Sequence, residues 1–407
     1  MAAAWILTAP QALAATPRAV WGLAALILSL PLMQLVPLPP AVWHSLPGRE
    51  GQQAALELVG AEDSWRSLSL SPARTLTSLL AAASALLVMV MASALDRSAR
   101  WKLLWTIALV GGLTLLLGTA QMSGGSGNPF RFYDAEFEFV SGFQANRNST
   151  ADVLLIALLA GSAVMRHLAD QKRIQLGRLQ FAGVVLAFDA VLIIGLVLTG
   201  SRAGMLLLPV ALLFQYIILQ PDNRIHAQRL LASLAAFAAL AVIAVVTLRN
   251  NRAIDAVLSR FTPEGEFRLE LWRDALFAMN QYWPVGSGQG TFVPVMIAVE
   301  RLEVIDPTLP NRAHNDYLEL AVGGGLPGMI ILAAASLWIG LAALRALRQA
   351  KQADRGQILF AIGTLTVIAL HSLVDYPLRS MSLAAVAAVA VGLLLPARST
   401  QPINPRG

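Results

Sequence analysis

The chain has 407 residues, of which 56% are hydrophobic and only 13% charged, against roughly 25% charged in an average soluble domain. Its net charge of +6 does not imply nucleic acid, because cytoplasmic loops of membrane proteins carry excess Lys and Arg. It contains no Cys, which excludes disulfides and thiolate metal sites.

Runs of about 20 apolar residues recur along the whole chain, each long enough to cross a bilayer as a helix. The composition therefore predicts an all-α fold. It is a polytopic integral membrane bundle of about ten transmembrane helices, with 1–407 forming one membrane domain. Residues 1–15 carry Ala12-Leu13-Ala14, a pattern like a signal-peptide cleavage site, but they lack a basic start and are broken by Pro10. They read as a terminal or partial membrane segment rather than a signal peptide. In chain order, spans are expected near 19–37, 75–95, 101–120, 149–166, 181–199, 203–219, 230–248, 315–344, 357–374 and 380–396. The span at 315–344 is too long for a straight crossing. Its Gly323-Gly324-Gly325 and Pro327 predict a break, with 315–326 a short interfacial or re-entrant piece whose freed backbone groups are buried by protein.

Loop charge sets the orientation. With the N-terminus cytoplasmic, one set of short loops holds Arg97, Arg100 and Lys102, then Arg166, Lys172, Arg173 and Arg178. It continues with Arg224 and Arg229, and ends with Arg345, Arg348, Lys351 and Arg355. Every Lys then lies inside, and the outer face carries Arg alone. Arg forks suit bidentate phosphate and carboxylate recognition better than Lys does. The largest outer loop, 249–314, mixes Arg260, Arg268, Arg273 and Arg312 with acids that include Asp255, Glu264, Glu266, Glu270, Asp274, Glu303 and Asp306. Such mixed signs are not a simple basic patch. Within it Leu269, Trp272, Leu276, Met279 and Trp283 repeat at helical spacing. They predict an amphipathic helix from about 267 to 283, lying on the membrane or packed over a cavity. Pro284 stops it, and Gly286-Ser287-Gly288-Gln289-Gly290 reads as a flexible turn.

Four outer clusters carry chemistry-bearing side chains. Phe139 to Asn148 places aromatic and amide groups, with Asn146 and Arg147, where they suit stacking on sugars and bonding to hydroxyls; a helix start capped by Asn148 or Ser149 explains it equally well. Thr199-Gly200-Ser201-Arg202-Ala203-Gly204 is a tight turn between two spans. It sets a cation beside small residues that let backbone approach a ligand, though Arg202 could also simply anchor a helix end. It is not a phosphate-binding P-loop.

Arg312, His314, Asn315 and Asp316 sit where a membrane helix meets water, and ionisable groups at that depth are a functional-site hypothesis by default. Imidazole suits acid–base work near neutral pH, with an adjacent carboxylate such as Asp316 placed to hold its tautomer. The bland alternative is a helix cap from Asn315 or Asp316 with His314 merely exposed. The fourth cluster, His371 to Arg379, reads either as an interfacial anchor or as a neighbour of the others. No Asp-x-Asp and no His-Glu-x-x-His motif occurs, and Glu136-x-Glu138 and Glu264-x-Glu266 read as solvated faces. No metal and no cofactor is expected.

Five pieces occur in an order that resembles a known family. They are Ala145-Asn146-Arg147-Asn148, Gly200-Ser201-Arg202-Ala203-Gly204, Phe267-Arg268-Leu269-Glu270-Leu271-Trp272, Pro284 through Phe292, and Ala313-His314-Asn315-Asp316-Tyr317. The chain resembles the O-antigen ligase and O-antigen polymerase superfamily of bacterial envelope enzymes over roughly 35–395. In the ligases the last piece continues as His-Asn, nine residues, Gly, two residues, Gly. His314, Asn315, Gly325 and Gly328 meet that pattern.

The resemblance implies a metal-independent glycosyltransferase of the bacterial inner membrane, working at its periplasmic face. It would move a glycan from undecaprenyl pyrophosphate to a hydroxyl of an acceptor sugar, such as lipid A–core or another glycan. By the same resemblance Arg202 and Arg268 bind the pyrophosphate and His314 activates or orients the acceptor. Arg312, Asn315, Asp316, Asn146 and Arg147 are further substrate contacts. The polymerase, which joins repeat units, is the nearest alternative, and a lipid-linked glycan transporter the alternative of another class. Full-length members usually carry about two further N-terminal spans, so a shortened or late-starting member is expected.

Overall fold

The computed structural model describes residues 16–123, 127–134, 137–173, 175–220, 267–301 and 311–397. The segment 1–15, the span expected at 230–248, and the loop residues Arg224, Arg229, Asp255, Arg260, Glu264, Glu266, Glu303 and Asp306 lie outside them, as does Glu136. Eight helices among the described residues are long and apolar enough to cross a membrane. They are α1 (Arg18–Leu35), α4 (Pro72–Ser93), α5 (Arg97–Met122), α6 (Arg147–Asp170), α7 (Arg178–Leu198), α8 (Arg202–Leu219), α11 (Asp316–Gln349) and α12 (Gln352–His371). Between α1 and α4 lie two short helices, α2 (Pro40–Trp43) and α3 (Glu50–Glu57), and a two-residue antiparallel pair, β1 (Pro37–Leu38) with β2 (Arg66–Ser67). Helices α9 (Phe267–Tyr282) and α10 (Phe292–Val299) precede α11, and α13 (Met381–Leu393) is the last helix among the described residues. The protein is a polytopic helical membrane protein. The span expected at 380–396 is shorter than its sequence pattern: α13 holds 13 residues, preceded by a 3-10 turn, Pro377–Arg379.

The described residues form two compact units. One draws on 92–263, 343–371 and 389–407. Its centre is α6, buried almost continuously from Ser149 to Val164 and packed by α5, α7, α8 and α12. Small residues bring these helices close, as membrane helix packing favours. A Cβ on Gly111 would come within 2.1 Å of Ala157, and one on Gly161 within 2.3 Å of the Phe188 ring. Helix starts follow sequence: Asp96 Oδ1 accepts from the Ala99 amide at 2.8 Å, and Ser201 Oγ from the Gly204 amide at 3.1 Å, satisfying amides that have no partner within the helix. Arg100, counted above among loop charges, is instead 2% exposed. It donates to the Leu95, Leu395 and Ser93 carbonyls, a cation on helix-terminal carbonyls.

The other unit draws on 1–91, 264–342 and 372–388. Helix α11 has 34 residues, so a straight one would run roughly 50 Å against a hydrocarbon core of about 30 Å. It breaks at Gly325, whose φ of 54° and ψ of −150° are not helical. A Cβ there would meet the Pro284 carbonyl at 2.2 Å, so the break needs glycine. The freed backbone is satisfied by protein, as the membrane requires. The Ser287 amide donates to the Val322 carbonyl at 3.0 Å and the Gly288 amide to Gly323 at 2.9 Å. Gln34 Nε2 donates to the same Gly323 carbonyl at 2.8 Å, and its Oε1 accepts from the Gln289 amide. Residues 286–290 therefore form a hydrogen-bonded buckle rather than the flexible turn expected. Arg49, 2% exposed, braces it by donating to the Leu68 and Gly286 carbonyls, and burial lowers its guanidinium below the ordinary value.

Helix α9 covers Phe267–Tyr282, and its buried face is Leu271, Ala275, Ala278 and Tyr282. Those residues pack on Phe292, Val295 and Met296 of α10 and on Ala313 and Val322. Leu269, Leu276 and Trp283, three of the five residues of the apolar stripe read from the sequence, are 50%, 47% and 41% exposed. Trp272 and Met279 of the same stripe contact protein, Trp272 by its indole N–H and Met279 by packing on the Ala278 cluster.

Candidate active site

His314 sits just before α11 with φ of +48°, a left-handed backbone that a non-glycine residue holds only when its surroundings over-determine it, and such residues gather at functional sites. The surroundings here are specific. The preceding Ala313 is fully buried, its carbonyl accepts from Trp272 Nε1 of α9 at 2.8 Å, and its amide donates to Glu319 Oε2 at 3.3 Å. On the following side, the Asp316 amide donates to the Ser372 carbonyl at 2.9 Å. Asn315 caps α11: its Oδ1 accepts from the Leu318 amide at 2.9 Å while its Nδ2 donates to the Leu373 carbonyl at 2.9 Å.

The imidazole is oriented by Asp375, not by the adjacent Asp316. His314 Nδ1 lies 2.9 Å from Asp375 Oδ1, with the carboxylate 3% exposed and the imidazole 22%. An ionised carboxylate only accepts, so this pair sets the tautomer with the proton on Nδ1 and the lone pair on Nε2. Tyr376 stacks edge-on against the ring at 4.9 Å between centroids. Asp316 does something else. Its carboxylate accepts from Ser372 Oγ at 2.9 Å and from the Leu378 amide at 3.3 Å, and Arg379 Nε lies 3.7 Å away. Asp316 therefore holds the 372–379 turn that delivers Asp375 to His314.

A second carboxylate organises the cations. Glu319, 3% exposed, pairs with Arg312 Nη1 at 2.9 Å and with Arg379 Nη2 at 3.2 Å. Both Arg retain further N–H donors, since a guanidinium has five. Arg268 lies on the first turn of α9, half-buried, in the same unit. Nearby Arg301 pairs with Glu270 and Asp274, and its hydrogen bond holds the Glu270 carboxyl below its ordinary value.

The remaining candidates belong to the other unit. Asn146, rather than Asn148 or Ser149, caps α6, its Oδ1 accepting from the Asn148 amide at 2.8 Å. Arg147 begins that helix with its guanidinium 4.7 Å from the centroid of the Phe139 ring. Phe139 in turn packs on the left-handed Gly200, where a Cβ would lie 2.6 Å from its ring, so two of the sequence clusters meet. Arg202 opens α8 half-buried and has no carboxylate partner among the described residues. A cation at a helix N-terminus opposes the helix dipole, so neither Arg147 nor Arg202 gains from it. The last polar pair, His371 with Asp152, is fully buried at 2.6 Å and ties α12 to α6.

Sequence reasoning named Arg312, His314, Asn315 and Asp316 and missed Glu319 and the role of Asp375. Asp375 did stand in the His371-to-Arg379 cluster as a carboxylate at an outer turn, the one signal that could have found it.

The broken helix α11 of this polytopic membrane protein thus starts beside a His–carboxylate pair and two carboxylate-held arginines. Residues 187–333 match the family model described as O-antigen ligase, a stretch that contains Arg202, Arg268, Arg312 and His314. That stretch is similar to an O-antigen ligase domain. No curated protein matches the sequence. A chain solved in work on structural coordination of polymerization and crosslinking by a peptidoglycan synthase complex is similar over 93% of this chain and 97% of its own. Its TM-score is 0.50 and its identity 16%, a likeness of fold alone.

Proposed function

We propose that the protein is a membrane glycosyltransferase of the O-antigen ligase type. It transfers a glycan from undecaprenyl pyrophosphate to a sugar hydroxyl at the periplasmic face of the bacterial inner membrane. The observation that carries this reading is the His314–Asp375 pair, whose His314 has a left-handed backbone and lies inside the family-matched segment. His314 Nε2 accepts the proton of the acceptor hydroxyl as its oxygen attacks the anomeric carbon, while Asp375 stabilises the imidazolium that forms. The bond from that carbon to pyrophosphate breaks, and negative charge grows on the departing phosphate. Cationic donors aimed at developing charge stabilise such a step. Arg268 and Arg202 are assigned to the pyrophosphate and Arg312 to either substrate. Asn315 and Asp316 serve by shaping the turn, and Asn146 and Arg147 complete the proposed substrate contacts. None of these roles requires a metal.

The test is the lipid-linked and surface glycan profile of a deletion strain. Long chains stranded on undecaprenyl pyrophosphate support a ligase with a lipid A–core acceptor. Surface lipid capped with a single repeat unit, or loss of free polysaccharide, assigns the chain to the polymerase instead. Transport of labelled lipid-linked glycan in vesicles, without glycosidic bond formation, overturns the enzyme reading.

A further inference from the structure

The opposite end of the α6 bundle has chemistry that the transfer reaction does not use. Trp101, Arg166, His167, Asp170 and Arg355 are among the residues that line a pocket there, where the starts of α5 and α12 meet the ends of α6 and α8. These are the basic loops that charge asymmetry assigns to the cytoplasmic side. Trp101 and His167 stack at 3.8 Å with rings 13° apart and form one wall.

Two donors of this pocket's residues are buried and have no hydrogen-bond partner: the indole Nε1 of Trp101, itself 7% exposed, and Nε of Arg355. A buried donor left without an acceptor bears the desolvation of that group uncompensated, and each such atom in a folded protein calls for an explanation. The other charges are committed. Arg166 grips Asp170 and donates to the Leu219 carbonyl at 3.3 Å, and Arg97 is paired with Asp354. Arg355 has no carboxylate partner among the described residues. Among the described residues, those lining the pocket thus supply one cation without a carboxylate partner and two unsatisfied N–H groups, and the matching ligand is an acceptor-only oxyanion.

We propose that this pocket binds a phosphate oxyanion, and that its source is the headgroup of an anionic phospholipid of the adjoining leaflet. Trp rings favour the headgroup level, and basic pockets between spans on the cytoplasmic side receive lipid headgroups. Arg355 Nε and Trp101 Nε1 donate to the phosphate oxygens, with Arg166 and His167 bordering them. The inference rests on the membrane fold and is independent of the glycosyl transfer.

The test uses the full chain in phosphatidylcholine nanodiscs, with phosphatidylglycerol introduced stepwise and thermal unfolding recorded. Phosphatidylglycerol raises the wild-type Tm by about 2–4 °C, Arg355→Gln and Trp101→Phe remove the rise, and Arg348→Gln, a basic residue outside the pocket, keeps it. If Trp101→Phe fails to fold, Arg355→Gln carries the test, since its side chain is only half-buried. A full rise with inorganic phosphate in pure phosphatidylcholine supports the oxyanion site but overturns its lipid source. No rise with either probe overturns the proposal, as does an equal loss from Arg348→Gln, which marks diffuse surface charge.

Discussion

Replacing Asp375 by Asn keeps the size of the side chain and removes its charge. In the structure Asp375 Oδ1 lies 2.9 Å from His314 Nδ1 with its carboxylate 3% exposed, so solvent screens the pair little. When His314 takes a proton in the transition state, two unit charges about 4 Å apart attract by about 4 kcal/mol at an effective dielectric constant near 20. The Asn amide dipole retains part of this and can still accept from Nδ1–H, so about 2.7 kcal/mol is lost. That is about 100-fold in kcat, within the range of about 10²–10⁴ that a general base contributes. KM for either substrate changes little, because the charge arises only in the transition state. The assay is transfer by purified protein from a lipid-pyrophosphate glycan, with Tm as a control for folding. Because the two residues act as a unit, the double variant with His314→Ala is no slower than His314→Ala alone. Asp375→Asn activity within about threefold of wild type, or fully additive losses in the double variant, refutes the pairing as part of the chemistry.

Gly325→Ala is expected to destabilise the protein by about 2–4 kcal/mol, since a Cβ would sit 2.2 Å from the Pro284 carbonyl at a φ of 54°. Thermal unfolding in detergent reads it, and an unchanged Tm would show that the helix break needs no glycine. Acid is expected to release the Glu270–Arg301 link. The folded Glu270 carboxyl is held below its ordinary value by the Arg301 hydrogen bond, so its stabilisation is complete above the usual carboxylate range and is lost as pH falls through the lowered value. Protection factors of α9 and α10 amides, taken against intrinsic exchange at each pH, should therefore stay flat through neutrality and fall only in acid, below the usual carboxylate range. A fall near neutrality would contradict this.

Most of the span pattern was legible because length and apolarity alone define a membrane helix, and Gly323–Gly325 with Pro327 marked the break in α11 because few other residues allow it. The spacing in α9 marks an amphipathic helix but not which residues meet protein. Leu269, Leu276 and Trp283 keep helical spacing as well as Leu271, Ala275, Ala278 and Tyr282 do, and only the second set packs on α10 and its neighbours. Ala275 and Ala278 let the backbone approach there. The carboxylate partner of His314 was assigned to Asp316, two residues away, while the structure supplies Asp375 from 61 residues on. Local sequence favours the near carboxylate, but Asp316 lies in the helix that starts beyond the left-handed His314 and bonds to Ser372 instead. Glu319 was invisible for a similar reason: on a helix pattern it is one polar position, and only the packed turn brings Arg312 and Arg379 onto it.

The most direct test of the central claim is glycosyl transfer in vitro by His314→Ala, with binding of the lipid-pyrophosphate donor measured on the same preparation. A fall in turnover of about 10²–10⁴ with donor binding within a few-fold of wild type is the predicted result. Turnover within about tenfold of wild type, or a loss wholly explained by lost donor binding, would contradict an acid–base role for His314.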